Sequence, residues 1–266
     1  MSGKNRFRAG LATLVLAVPG LVLAQPRPPD GPPQPPRTAR EAAPIDLTGY
    51  WVSVVSEDYR WRMITPVRGD FQSIPLNAEG VRVGREWDPA HDEAEDLQCK
   101  SYGAPALMRI PGRIRIGWQD EQTLKVETDA GTQTRLLRFN APPTTSDAPS
   151  WQGYSVANWE QPVTGRPTGA ALPIFTGNVG RGGRSLEVTT TNLTPGYLRK
   201  NGPPYSAGTT VQEYFDQHVQ PNGDEWLTIT TLVTDPTYLT GPFVTSSDFK
   251  KQRNGDGWDP TPCSVR

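Results

Sequence analysis

Apolar and polar residues alternate with a period of two along much of the chain beyond residue 45. Ile114, Ile116 and Trp118 are separated by Arg115 and Gly117, and Leu124 and Val126 flank Lys125. Leu186 and Val188 flank Glu187, while Leu227, Ile229 and Val233 share one parity with Thr231 between them. Tyr59, Trp61 and Met63 alternate with Arg60 and Arg62 in the same way. Successive side chains of a strand point to opposite faces, so these runs predict strands with one face buried and one in water. Clusters of Gly, Pro, Asn or Asp bound each run and mark turns. An antiparallel sheet accommodates half-buried strands most simply.

One hairpin is nearly spelled out. Val211–Gln220 runs into Pro221-Asn222-Gly223-Asp224 and returns as Glu225–Thr234. Asn-Gly favours a two-residue turn with both central residues at positive φ. That register places Pro221 opposite Asp224, and His218, Asp216 and Tyr214 opposite Leu227, Ile229 and Thr231. Helix is scarce. The best stretch is 76–87, where Val81, Val83 and Trp87 share part of a face; Gly80 and Gly84 each weaken it by about 1 kcal/mol. Residues 162–183, rich in Gly and Pro, read as a long loop. The predicted class is all-β, an antiparallel barrel or a β-sandwich, with one or two short helices and long loops.

The N-terminal pattern is different. Lys4, Arg6 and Arg8 precede an apolar stretch, Leu11–Ala24, interrupted by Thr13 and Pro19-Gly20. Small residues near Ala24 complete the layout of a secretory signal peptide, and the stretch is too short to span a membrane. Residues 25–44 are a Pro-rich linker unable to build a core. The expected organisation is a leader over 1–24, a linker over 25–44 and a single β domain over 45–266, working in the periplasm or as a secreted protein. The 27 basic and 28 acidic residues nearly cancel, so charge points to neither nucleic acid nor an anionic membrane as partner. The two cysteines, Cys99 and Cys263, predict one disulfide in an oxidising compartment. Closing so long a loop contributes on the order of 5 kcal/mol.

Gly49-Tyr50-Trp51 resembles the G-x-W that opens the first strand of lipocalin-like barrels. In that family the Trp closes one end of the barrel, often under a basic residue of the last strand; Lys250, Lys251 and Arg253 are the candidates for it. A wider resemblance is to a group of uncharacterised exported bacterial proteins. It is carried by Trp87-Asp88-Pro89, Cys99 with Tyr102-Gly103-Ala104, Met108-Arg109-Ile110-Pro111, Gly153–Ser155 through Trp159-Glu160, Leu186–Thr190 and Pro195–Gly202. It implies a shared β-rich fold and carries no activity.

Three constellations hold candidate chemistry. The acidic run from Asp88 to Asp96, with His91 inside it, offers cation ligands, yet it fits no metal motif and equally reads as a helix start with Pro89 in its first turn. Tyr214, Asp216 and His218 share one face of a strand. Turned into a cavity they would form an acid-base set, with His218 as base, Asp216 as its orienter and Tyr214 as a donor to an oxyanion. The opposite face, with Phe215, Val219, Trp226 and Leu232, is at least as apolar, and the period slightly favours Phe215 inward. Trp61, Trp118 and Tyr154, with Arg60 for an anionic group, form the candidate ligand-binding set; Arg62 is a second cation beside it. No nucleotide loop, zinc set or other cofactor motif is present, so neither a cofactor nor a metal is expected. The leading expectation is an exported β-barrel that binds a small, largely apolar molecule. The alternatives are a cofactor-free isomerase or hydrolase acting on a hydrophobic substrate, and a structural or partner-binding envelope protein. The oligomeric state is left open.

Overall fold

In the computed structural model the alternating runs become strands that close on themselves. The structure describes residues 37–142, 147–160 and 185–265; the predicted leader, the linker as far as Pro36 and the predicted loop 162–183 lie outside them. Among the described residues the strands are β1 (Gly49–Val54), β2 (Arg113–Asp120), β3 (Thr123–Thr128), β4 (Thr134–Phe139), β5 (Tyr154–Trp159), β6 (Ser185–Thr191), β7 (Gly196–Tyr197), β8 (Pro204–Tyr205), β9 (Thr210–Val219), β10 (Glu225–Thr234) and β11 (Phe243–Gln252). Short helices lie between β1 and β2: α1 (Tyr59–Arg62), α2 (Ala78–Arg85), α3 (Pro89–Ala94) and α4 (Ala104–Leu107), with a 3₁₀ turn at Gln98–Tyr102.

Nine strands form a closed barrel in the order β1-β11-β10-β9-β6-β5-β4-β3-β2, and β7 pairs separately with β8. Of the two architectures left open by the sequence, the barrel is the one adopted. A ring of nine strands cannot alternate direction throughout, so at least one neighbouring pair must be parallel. That pair is β4–β5, with Leu137 opposite Ser155 and Phe139 opposite Ala157.

The inward faces fill the barrel. Trp51, Leu137, Leu186, Phe215 and Ile229 have no exposed surface and belong to one core cluster. Trp51 donates its indole N–H to the Leu47 carbonyl at 2.9 Å. The Lys251 ammonium lies 5.3 Å from the centre of its ring, so Lys251 is the basic residue above Trp51 among the three candidates. The compact unit begins at Arg37, earlier than the expected boundary at 45. Ala39 is buried in the core, and its carbonyl accepts the Trp159 indole N–H at 2.8 Å. The end of the expected linker is therefore part of the fold.

Two local expectations are corrected. The 210–234 hairpin turns through three residues, Pro221, Asn222 and Gly223. Gln220 N–H donates to Asp224 O at 2.8 Å, and Gly223 sits at φ 85°. The strand pairing moves by one, so Trp226 faces His218, Thr228 faces Asp216 and Ile229 faces Phe215. A three-residue loop with Gly in the left-handed region satisfies the same Asn-Gly signal. The alternating Tyr59–Met63 segment is not a strand. Asp58, at φ 51°, accepts from the Trp61 and Arg62 N–H groups at 2.9 and 3.1 Å, and this winds the run into α1.

The expected helix forms as α2. Asn77 caps it by accepting from Gly80 N–H at 2.8 Å. Its two glycines are where it packs: a Cβ on Gly84 would lie 2.7 Å from the Phe71 ring. Asp88 and Pro89 start α3, the structural alternative for the acidic run. Cys99 and Cys263 are disulfide-bonded, with Cα atoms 5.2 Å apart. The bond ties the segment after β11 to the 3₁₀ turn at the end of the barrel that carries the helices.

Candidate functional site

The helical end of the barrel carries a cleft of about 570 Å³, within the range of roughly 300–1,000 Å³ typical of small-molecule sites. Its walls come from several elements. Trp61–Thr65 belong to α1 and its exit, Ser101 and Tyr102 to the 3₁₀ turn, and Ala106 and Arg109–Pro111 to α4 and its exit. Leu198–Lys200 come from the turn between β7 and β8, and Thr261, Pro262 and Ser264 from the disulfide-tethered segment. The lining is mostly apolar, and the rim is too. Met63 and Ile64 line the cleft while 59% and 74% exposed, and Tyr59 and Val67 beside them are 67% and 76% exposed.

Three buried arginines, Arg62, Arg109 and Arg199, also border the cleft; each is less than 9% exposed. Arg62 pairs with Glu57 and donates Nε–H to the Arg109 carbonyl at 2.8 Å. Arg109 pairs with Asp58 at 3.0 Å. Arg199 differs. Its hydrogen bonds reach the Asp70 and Gln72 carbonyls at 3.3 and 3.0 Å and the Ser73 hydroxyl at 3.4 Å, while its guanidinium lies 5.4 Å from the centre of the Trp61 ring. Burial, with the nearby charge of Arg109, pushes Arg199 down to about 10. Burial lowers Arg62 too, against the pull of Glu57. Both groups remain cationic at neutral pH.

Some of these donors are unanswered. Among the described residues, Trp61 Nε1, Arg62 Nη2, Arg109 Nη1 and Arg199 Nε are buried without a hydrogen-bond partner. A buried unsatisfied donor costs about 1–3 kcal/mol, and several around one cleft are a concentrated expense for the fold to carry.

The residues singled out in the sequence fall in different places. Tyr214, Asp216 and His218 lie on the outer face of β9; Asp216 and His218 are exposed and Tyr214 half-buried, while Val211, Glu213 and Phe215 point inward. The three line no common cavity, which leaves the acid-base set without an enclosed site. Trp61 lines the cleft, and exposed Arg60 sits beside it, 5.4 Å over its ring and paired with Asp70 at 3.4 Å. Trp118 is at the other end of the barrel, 5.8 Å from Phe139 and 6.5 Å from Trp159. Tyr154 is buried under Arg138, 4.5 Å away, and donates its hydroxyl to the Ala141 carbonyl at 3.0 Å. The four expected ligand-binding residues therefore do not meet. In the acidic run, Asp92 is buried between Lys100 at 3.0 Å and the Tyr197 hydroxyl at 2.9 Å, a structural use.

Neither Arg109 nor Arg199, both buried on the cleft, is singled out by the sequence pattern. The available signal was an arginine inside the otherwise apolar run Ala104–Pro111, which can only bury its stem there. Compared with known proteins, the chain matches no described family, no characterised sequence and no solved structure.

Proposed function

We propose that the protein is exported and binds a small, largely apolar molecule in the cleft at the helical end of the barrel, not in its lumen. The observation that carries this reading is the contrast between the two spaces. Inward side chains such as Trp51, Phe215 and Ile229 pack the lumen with no exposed surface. The end cleft of about 570 Å³ is open and mostly apolar. The Cys99–Cys263 bond supports work in an oxidising compartment. Among the described residues no helix is long and apolar enough to cross a membrane. Trp51 beneath Lys251 supports a lipocalin-like reading of the barrel; the ninth strand, the parallel pair and the filled lumen depart from it.

The uncharged fluorophore N-phenyl-1-naphthylamine tests the site. It binds the purified protein, and Thr65→Trp, a change at a half-buried wall position, lowers its affinity by roughly tenfold because the indole fills volume the fluorophore needs and displaces it from part of the cleft wall. Unchanged affinity in that variant rejects the cleft.

A further inference from the structure

The four unanswered donors belong to residues that line the cleft and lie just beneath its surface, so a ligand reaches them through a small shift of these side chains; they have a chemistry in common. Trp61 Nε1, Arg62 Nη2, Arg109 Nη1 and Arg199 Nε belong to indole and guanidinium groups, which donate hydrogen bonds and accept none. They cannot satisfy one another, and only an acceptor completes them. The charges point the same way. Glu57 pairs with Arg62, Asp58 with Arg109 and Asp70 with Arg60. Arg199 alone of these arginines makes its hydrogen bonds to neutral groups; Asp58 and Asp70 act on it only through space.

We propose that the cleft binds an amphiphile with a single carboxylate, its charged end on Arg62, Arg109 and Arg199 and its apolar body along Met63, Ile64 and Ile110. The proposal rests on the cleft being the binding site and adds the class of ligand. A carboxylate offers about four lone-pair sites to planar guanidinium forks and brings one negative charge, as Arg199 requires. A dianion would bring a second charge to a site where Arg62 and Arg109 already have carboxylate partners in Glu57 and Asp58, so that charge would be less well compensated for its desolvation. The apolar rim gives the rest of such a molecule a surface continuous with the cleft.

Displacement of N-phenyl-1-naphthylamine from the full chain by dodecanoate, dodecanol and dodecyl phosphate tests this. Dodecanoate is expected to bind roughly tenfold or more tightly than dodecanol, the difference set by charge-assisted hydrogen bonds. Arg199→Gln brings that ratio to about one, and Arg199→Lys, which keeps the charge and loses the fork, leaves it in between. Trp61→Phe removes one donor without touching any charge, so a lowered ratio in that variant supports the site even if Arg199→Gln fails to fold. If the fluorophore binds and dodecanoate and dodecanol displace it equally, the carboxylate site is overturned and the apolar cleft stands. If dodecyl phosphate binds more tightly than dodecanoate, the monoanion assignment is overturned. If the fluorophore does not bind at all, both readings fall.

Discussion

Arg135 and Glu213 form a two-pronged ion pair inside the barrel, Nη1 to Oε1 at 2.9 Å and Nη2 to Oε2 at 2.5 Å. Their side chains are 1% and 0% exposed. The pair links β4 to β9 across the lumen, with the Thr190 hydroxyl accepting from Arg135 at 3.1 Å and the Ser155 hydroxyl 2.7 Å from that of Thr190. Glu213→Gln leaves a buried cation uncompensated and is expected to cost about 3–5 kcal/mol in urea unfolding. The double change Arg135→Met with Glu213→Leu removes both charges and regains most of that loss. Equal losses in the single and double variants would show that the charges themselves matter little.

Reduction of the Cys99–Cys263 bond releases a segment that both closes the chain and walls the cleft. Stability is expected to fall by about 2–5 kcal/mol in the Cys99→Ala, Cys263→Ala variant, read from the urea midpoint. Fluorophore affinity falls with it, because Thr261, Pro262 and Ser264 line the cleft. Retained affinity in the reduced protein would mean that the segment holds its place without the bond.

Asp235 gives the fold a pH dependence of known sign. Burial works to raise its pKa, but hydrogen bonds from the Thr209 hydroxyl, from Ser206 and from the Tyr238 N–H overcome it and hold the carboxyl below its ordinary value. The resulting stability is complete above the unfolded pKa of about 4 and disappears as pH falls through the depressed folded value. The wild type should therefore lose stability more steeply than Asp235→Asn on acidification below about pH 4. At neutral pH the variant should be less stable by about 1–3 kcal/mol. Parallel acid curves for the two proteins would contradict this role.

Gly80 in α2 reverses the usual ranking of helix formers. Alanine gains about 1 kcal/mol over glycine in a helix interior. Here its Cβ would lie 2.7 Å from the Tyr238 carbonyl oxygen and 2.9 Å from Leu76. That carbonyl also accepts the Asn77 N–H at 2.9 Å, so it cannot step aside freely. Gly80→Ala is expected to destabilise by about 1–3 kcal/mol through overpacking. Gly117→Ala, with open space around the new Cβ, serves as the neutral control; both are read by thermal melts.

The barrel was largely legible because two-residue alternation survives in nearly every strand that forms it. Leu124 and Val126, or Leu186 and Val188, report burial that the structure shows. Where local signals competed, they misled by small amounts. Asn222-Gly223 announced the hairpin, but a turn that also takes in Pro221 shifts the pairing by one residue. Tyr59–Met63 alternates over only five positions, too few to reveal that Asp58 winds them into a turn. The cleft was less legible because contacts distant in sequence assemble it. Arg62 and Arg109 lie 47 residues apart in the connection between β1 and β2, and Arg199 lies in the turn between β7 and β8; no spacing between them encodes their meeting. Arg60 and Arg62 were both visible as cations, yet only burial distinguishes the solvent-facing one from the one bordering the cleft.

The seam between β1 and β11 governs when this molecule can fold. Tyr50 pairs with Gln252 and Val54 with Asp248, so the ring stays open until almost the whole chain is present. Such long-range pairing is slow and leaves strand edges unpaired in the meantime. A partly synthesised chain therefore cannot close the ring, and the finished shape arises only once the last strand is available to its first.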